Sequence, residues 1–275
     1  MFKTNLMLAL AASAAIASPA VAQEGNYNGF YVGGSFGFTA QPNDRGSSVL
    51  FDTNRDGAFG DTVRTAAGAN AFSPGFCGGR AIGNSAAAGC RSDRDGLEYY
   101  GHVGADTQFG QIVVGVVGEF GKSEARDSVT AFSTTPASYT LTRSFKYNVG
   151  VRGRIGYTPN DSTLFYATGG LAYAKTRNRF TTTNTANAFS DNGNSDDWGY
   201  SAGGGVEQRV TRNFSVGLQY LYTTYRNDDY RVTAARGTAP ATNPFVLVNG
   251  NGTDFARSDT NFRTHSMRLT GSFRF

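Results

Sequence analysis

One short segment of the sequence carries the residue types of a calcium-binding loop. Asp52-Thr53-Asn54-Arg55-Asp56-Gly57 places oxygen-bearing side chains at alternate positions and ends on a glycine that permits a sharp turn. The twelfth position is Val63, where such loops carry a bidentate Glu, so Asp61 is the nearest additional carboxylate. We therefore take Asp52, Asn54, Asp56 and Asp61 as candidate calcium ligands, with a solvated Asp/Asn/Gly turn as the alternative.

The chain's 2 histidines, His102 and His265, are the residues on which a hydrolase would depend. A nucleophilic Ser needs a His base within hydrogen-bond reach, and that His needs an acid to orient it. His265 and Ser266 are sequence neighbours, so they point to opposite faces if they lie in a strand. We therefore expect no catalytic site, and no cofactor apart from the calcium hypothesis.

Alternation of apolar and polar residues predicts that strands position most of these groups. At the end of the chain Met267, Leu269 and Phe273 fall on one face, and Arg268 and Arg274 fall on the other. Similar patterns predict strands over 30–39, 97–108, 112–123, 139–157, 164–177, 198–208, 214–230 and 262–275. The connections alternate between long (40–96, 124–138, 178–197, 231–261) and short (109–111, 158–162, 211–213).

This pattern predicts an all-β fold, an eight-stranded antiparallel transmembrane up-and-down β-barrel with long extracellular loops. A closed barrel satisfies every backbone hydrogen bond in lipid and leaves no sheet edge. At this strand number side chains fill the interior, so an open diffusion channel is not expected.

Charged residues on the polar face of the predicted strands should point into the lumen. They are Glu119, Arg152, Arg154, Glu207 and Arg268, together with Glu98 and Asp106. Unpaired charges in a narrow interior are costly, so we expect these arginines to pair with these carboxylates and plug the barrel. A gated ion path through the same residues is the alternative.

The first residues of the chain have the pattern of a secretory signal. A short positive start and an apolar stretch precede Ala20-Val21-Ala22, which predicts a signal peptide over 1–22 and a mature barrel over 23–275. Export also bears on Cys77 and Cys90 in the long first extracellular loop, 40–96. Exported cysteines in an even number normally pair, so we expect a disulfide.

Composition agrees with a chain of many short strands and turns, since 36 Gly, 14 Tyr and 21 Phe stand against 7 Pro. The formal net charge is +4, and the sequence contains no dense run of Lys and Arg. We therefore expect no nucleic-acid partner.

Several motifs together resemble a known family. They are Gly29-Phe30-Tyr31-Val32-Gly33-Gly34, Gly115-Val116-Val117-Gly118-Glu119-Phe120-Gly121, Val151-Arg152-Gly153-Arg154-Ile155-Gly156-Tyr157, Thr168-Gly169-Gly170-Leu171-Ala172-Tyr173 and Gln219-Tyr220-Leu221-Tyr222. In this order they resemble the alphaproteobacterial porin-like outer-membrane proteins and opacity-type surface antigens. The resemblance implies a surface-exposed barrel in a Gram-negative outer membrane. It also implies contact with outer-membrane lipid and lipopolysaccharide, and a last strand, ending at Phe275, that the barrel-assembly machinery reads.

From these features we expect a structural or surface-antigen role, with the loops displayed at the cell surface and the lumen filled by side chains. A narrow porin for small solutes is the alternative, and an outer-membrane lipid hydrolase is a third hypothesis. The sequence does not identify an extracellular ligand.

Overall fold

The computed structural model describes residues 27–42 and 46–275, and the predicted signal peptide over 1–22 lies outside the described residues. Within these ranges no helix has the length and apolar character needed to cross a membrane. The same ranges contain sixteen strands. They are β1 (Gly29–Ala40), β2 (Val49–Asp52), β3 (Gly75–Gly78), β4 (Arg80–Ala81), β5 (Cys90–Arg91), β6 (Gly96–Phe109), β7 (Ile112–Ser123), β8 (Arg126–Ser133), β9 (Ala137–Asn160), β10 (Thr163–Thr182), β11 (Ala188–Asp191), β12 (Ser195–Arg209), β13 (Phe214–Arg226), β14 (Val232–Ala235), β15 (Thr253–Arg257) and β16 (Asn261–Arg274).

Eight of the described strands close into a barrel in the order β1, β6, β7, β9, β10, β12, β13, β16. Each pairs antiparallel with its neighbour, and β16 returns to β1 with Tyr31 opposite Arg274 and Ala40 opposite His265. Each of these eight strands pairs with the barrel strands that come before and after it in the chain, so the barrel has up-and-down topology. The structure thus confirms the predicted fold.

The outer face of the barrel is apolar because alternate side chains of each strand point away from the lumen. On β16, Leu269 is 66% exposed whereas Arg268 is 3% exposed. On β10, Leu171 is 65% exposed and lies beside the buried Ala172. A continuous apolar surface of this kind is stable in lipid and not in water.

Aromatic side chains mark the two limits of this apolar surface. At one end Phe120, Tyr147, Tyr173 and Trp198 form a row, with successive ring centroids 5.8, 6.3 and 5.1 Å apart. At the other end of β10 lies Phe165, separated from Tyr173 by about 27 Å of extended strand. That span suits the roughly 25 Å apolar band of outer-membrane barrels.

Two inward-facing glycines make room for large rings in the lumen. A Cβ on Gly104 would clash with the Tyr31 ring, and a Cβ on Gly121 would clash with the Tyr100 ring. Tyr31 and Tyr100 are both buried. Glycine in these strands therefore allows an eight-stranded barrel to hold aromatic side chains as well as charges.

The long connections at one end of the barrel form a folded body rather than open loops. β8 extends the wall by pairing with the first part of β9, and β3 pairs with β8. β11, β14, β15 and β2 form a separate four-stranded sheet. We call this body the head, and it comprises the described residues of 41–95, 124–144, 177–197 and 227–260.

The head has its own hydrophobic core, drawn from all four connections. Phe51 contacts Phe72 and Phe255 at centroid distances of 4.4 and 5.0 Å, and Phe245 lies 5.3 Å from Phe255 and 5.7 Å from Tyr139. Fully burying one such side chain contributes about 2 kcal/mol. Aromatic packing therefore helps to order the long first loop.

Candidate functional site: the closed lumen and the head

The first of two charge clusters in the lumen joins Glu98, Glu119, Arg152 and Arg268. Arg152 donates from Nη2 to Glu119 Oε2 at 2.7 Å. Arg268 bridges the two carboxylates, donating from Nε to Glu98 Oε1 at 2.8 Å and from Nη1 to Glu119 Oε2 at 3.0 Å. Thr39 adds a hydroxyl donor to Glu98 at 2.7 Å. Two arginines and two carboxylates leave this cluster without formal net charge.

The second cluster joins Asp106, Arg154, Glu207 and Arg274. Arg154 donates from Nε to Asp106 Oδ1 at 2.7 Å and from Nη1 to Glu207 Oε2 at 2.9 Å. Arg274 donates from Nη2 to Asp106 Oδ2 at 2.8 Å, and Ser215 donates to Glu207 Oε1 at 2.7 Å. This cluster is also formally neutral. Each charge therefore has a partner, which is the condition under which buried charges are tolerated.

Tyrosine rings cover the guanidinium groups of both clusters. Arg268 Cζ lies 4.0 Å from the centroid of Tyr100, and Arg154 Cζ lies 4.8 and 5.3 Å from the centroids of Tyr31 and Tyr166. Such contacts stabilise desolvated cations. Tyr31 and Tyr166 also line a cavity that reaches both clusters.

The cavity beside the two clusters is small. Tyr31, His102, Glu119, Arg154 and other inward side chains line a cavity of about 30 Å³, room for one or two waters. Tyr27 closes the end of the barrel opposite the head. It is fully buried, and its hydroxyl donates to the Ser162 carbonyl at 2.8 Å. The geometry therefore describes a plug.

The histidines do not form a catalytic arrangement with the neighbours that the structure gives them. His102 Nε2 lies 2.9 Å from Ser272 Oγ inside the lumen. His265 Nδ1 lies 2.7 Å from the Tyr220 hydroxyl on the outer face, while Ser266 points inward and donates to Glu98. The lumenal His–Ser pair lies inside the plug, where a lipid substrate has no access.

A further buried charge group joins the head to the barrel. Asp127 accepts from Arg143 Nε at 2.5 Å and from Arg257 Nη2 at 2.7 Å, and Arg143 also donates from Nη2 to the Asn261 carbonyl at 2.6 Å. Burial raises the pKa of the Asp127 carboxyl, and the guanidinium groups of Arg257 and Arg143 lower it by more. The pKa therefore lies below its ordinary value.

The residues predicted to bind calcium lie in one turn, and the oxygens of Asp52 and Asp61 accept hydrogen bonds from the turn itself. Asp52 Oδ1 accepts from the Arg55 N–H at 2.6 Å, and Oδ2 accepts from the Gly57 N–H at 2.8 Å. Asp61 accepts from the Thr53 N–H and hydroxyl, both at 2.8 Å, and Asn54 donates to Asp56. Among the described residues no group of three His, Cys, Asp or Glu side chains converges on a metal position. The geometry is that of a hydrogen-bonded turn.

Cys77 and Cys90 form a disulfide in the head. Cys77 belongs to β3, where it lies opposite Thr130 of β8, and Cys90 begins the short strand that pairs with Arg80–Ala81. The bond thus fastens the small β4–β5 hairpin to the sheet that continues the barrel wall.

The structure places all seven lumen residues named from the sequence in these two clusters and adds Arg274, whose inward position follows from the alternation of β16. Sequence reasoning missed the group of Asp127, Arg143 and Arg257. Asp127 and Arg257 lie in predicted connections, where no strand alternation marks an inward side. Arg143 lies in the predicted strand 139–157 and shares the parity of the lipid-facing Val151, but the bulge at Lys146 turns it inward.

Comparison with known proteins identifies relatives of the chain. Residues 7–239 match the outer membrane protein β-barrel domain family. The chain is 35% identical over 141 residues, 50% of its length, to the 22 kDa outer membrane protein of Rhizobium leguminosarum bv. viciae, of which 58% is covered. It is 32% identical over 127 residues, 44% of its length, to the 31 kDa outer-membrane immunogenic protein of Brucella melitensis, of which 45% is covered. The chain spans about half the length of the curated relatives it matches.

Solved barrel structures are similar at low identity. The attachment invasion locus protein Ail of Yersinia pestis aligns with 90% of this chain and 99% of its own, at 10% identity and a TM-score of 0.35. The outer membrane protease OmpT of Escherichia coli aligns with 90% of this chain and 97% of its own, at 10% identity and a TM-score of 0.40. Scores this low carry no inference about function.

Proposed function

Because the chain belongs to the outer membrane protein β-barrel domain family, we propose that it is a surface-display protein whose barrel anchors the head in the outer membrane. The protein is an integral outer-membrane β-barrel protein, and the proposal concerns its role there. In this role the barrel is a support, and the head is the part that meets the exterior.

The observation that carries the proposal is the contrast between the lumen and the head. Two neutral charge clusters and their covering tyrosines fill the lumen, leaving a cavity of about 30 Å³. The head, by contrast, has a core of its own and a disulfide. A barrel with paired charges across its lumen and a large folded body at one end is suited to display rather than transport.

The relatives support the same role. The Brucella protein is named an outer-membrane immunogenic protein. By analogy, the head of this chain is the region that antibodies or other exterior molecules would contact. The non-enzymatic role has the support of the relatives' names and of the lumenal position of the His102–Ser272 pair.

Epitope insertion tests the orientation on which display depends. The same short epitope is inserted after Gly250, an exposed head residue, or after Asp161, an exposed residue in the turn at the opposite barrel end. Antibody should label intact cells that carry the Gly250 insertion, and should label the Asp161 insertion only after the outer membrane is permeabilised. Labelling of the Asp161 insertion on intact cells, without labelling of the Gly250 insertion, would place the head in the periplasm and refute the proposal.

A further inference from the structure

A groove where the head meets the outer wall of the barrel is lined by positive charge. We call it the basic groove, and it encloses about 450 Å³. Its defining residues are Arg94, Lys122, Arg126, Ser144, Lys146 and Arg177. Glu124 is the one carboxylate in its described lining. Five cations therefore face a single acid.

Strand pairing places three of these arginines in one row. Ser144 of β9 lies opposite Arg126 of β8 on one side and opposite Arg177 of β10 on the other. The backbone of Arg94 in turn pairs with that of Arg126 in an isolated antiparallel β-bridge. Directly opposed residues share a face of the sheet, with Cβ atoms about 5 Å apart. The row therefore presents three guanidinium groups and a central hydroxyl to the same side.

Such a row is unfavourable without an anion. Like charges directly opposite each other destabilise a sheet, and the Arg94–Arg126 pair is of this kind. Within the described part of the chain, none of the five groove cations forms a salt bridge. By contrast, the nearby Lys175 pairs with Asp196 at 2.7 Å. The groove thus holds charge that the described chain itself does not balance.

The two lysines lie closer to the membrane than the arginine row. Gly121 pairs with Asn148, so Lys122 and Tyr147 follow at the same level. Lys146 is the extra residue of a β-bulge, since Lys175 pairs with Tyr147 and Thr176 with Phe145. Bulges redirect side chains locally and recur beside functional sites.

The groove lies at the depth where lipid head groups begin. Lys122 is two residues beyond Phe120 and level with Tyr147, and both aromatics belong to the row that marks the head-side limit of the apolar surface. The arginine row follows about 7 Å further along the strands. Interfacial aromatics lie at the head-group level, so the cations beside and beyond them face the charged groups of that leaflet.

We propose that the basic groove binds a phosphate-bearing lipid head group of the outer leaflet. Guanidinium groups donate paired hydrogen bonds to phosphate oxygens, and lysines add point charge. The row flanking Ser144 would hold the phosphate, and the lysines would lie on its membrane side. The assignment to the outer leaflet rests on the outward orientation of the head in the proposed function, but it does not depend on whether the lumen conducts.

Lipid retention in nanodiscs tests the site. The purified protein is reconstituted in zwitterionic lipid containing trace lipid A, either with its phosphates or enzymatically dephosphorylated, and bound lipid is measured by native mass spectrometry. Arg126→Gln/Arg177→Gln removes two charges from the groove. Arg64→Gln/Arg226→Gln removes two charges from exposed head and wall positions outside the groove lining. Folding of each variant is checked by its heat-dependent migration on gels.

The phosphorylated lipid should bind, the groove variant should weaken that binding by about tenfold or more, and the control variant should change it little. Equal retention of dephosphorylated lipid A by the wild-type protein would overturn the proposal without any variant. Equal weakening by both double variants would show that general positive charge, and not the basic groove, retains the lipid. That result would also overturn the proposal. Displacement of the lipid by inorganic phosphate at matched concentration would show that the groove binds free phosphate rather than a lipid head group, and would also overturn the proposal.

Discussion

Replacing Arg152 by Met should lower the free energy of unfolding by about 3 kcal/mol. Arg152 is 2% exposed, and its guanidinium donates to both oxygens of Glu119. Without it, Glu119 Oε1 loses its donor in a desolvated lumen, whereas Oε2 retains Arg268 at 3.0 Å. Removing one partner of a buried pair typically costs about 3 to 5 kcal/mol, and the remaining arginine places this site at the low end.

A matched surface pair supplies the control. Lys175 and Asp196 also form a salt bridge, at 2.7 Å, but their side chains are 27% and 57% exposed. Lys175→Met should therefore cost no more than about 1 kcal/mol. In the double variant Arg152→Met/Glu119→Gln the charged partner is also removed, so part of the loss should be recovered.

Urea unfolding in lipid vesicles measures these differences. The chain has 1 Trp, and Trp198 lies exposed on the outer face of the barrel, so its fluorescence reports departure from lipid. If Arg152→Met shifts the unfolding midpoint no more than Lys175→Met does, then Arg152 is solvated. The description of the lumen as a dry plug would then be wrong.

Three further predictions concern the head. Asp127→Asn should make the head, but not the barrel, sensitive to protease. Acid should do the same to the wild-type protein, because the pKa of Asp127 is lower in the folded state than in the unfolded state. The stability that this carboxylate contributes is present above about pH 4 and is lost as the pH falls through the folded-state pKa. Reductant should open the Cys77–Cys90 bond and expose cleavage at Arg80 on intact cells, and an unchanged digest would contradict that role. Calcium titration should give no heat, because backbone N–H groups already occupy Asp52; measurable heat would restore the metal hypothesis.

The barrel could be predicted because its signal is periodic. Apolar and polar residues alternate along the barrel strands, as Leu269 does with Arg268 and Val151 with Arg152. The alternation alone assigns the apolar residue to lipid and the charged residue to the lumen. The same rule predicted the plug, since an inward charge in a narrow barrel needs a partner. It did not predict which arginine pairs with which carboxylate, because that depends on the register between strands.

The head could not be predicted in this way. Most of its described strands have only two to four residues, as in Arg80–Ala81 and Val49–Asp52, and so display no clear alternation. Its core joins Phe51 to Phe255 across most of the chain, a contact that no local pattern encodes. The calcium prediction rests on motif spacing, which does not reveal that backbone N–H groups of the turn donate to the Asp52 oxygens.

Single-channel recording in planar bilayers tests the central claim most directly. The purified protein should show no steady openings under applied voltage, because two neutral charge clusters fill the lumen and Tyr27 closes its end. Discrete openings of uniform size that change when Arg152 or Arg154 is replaced would show a conducting path through these residues. That result would contradict the plug and favour a narrow porin.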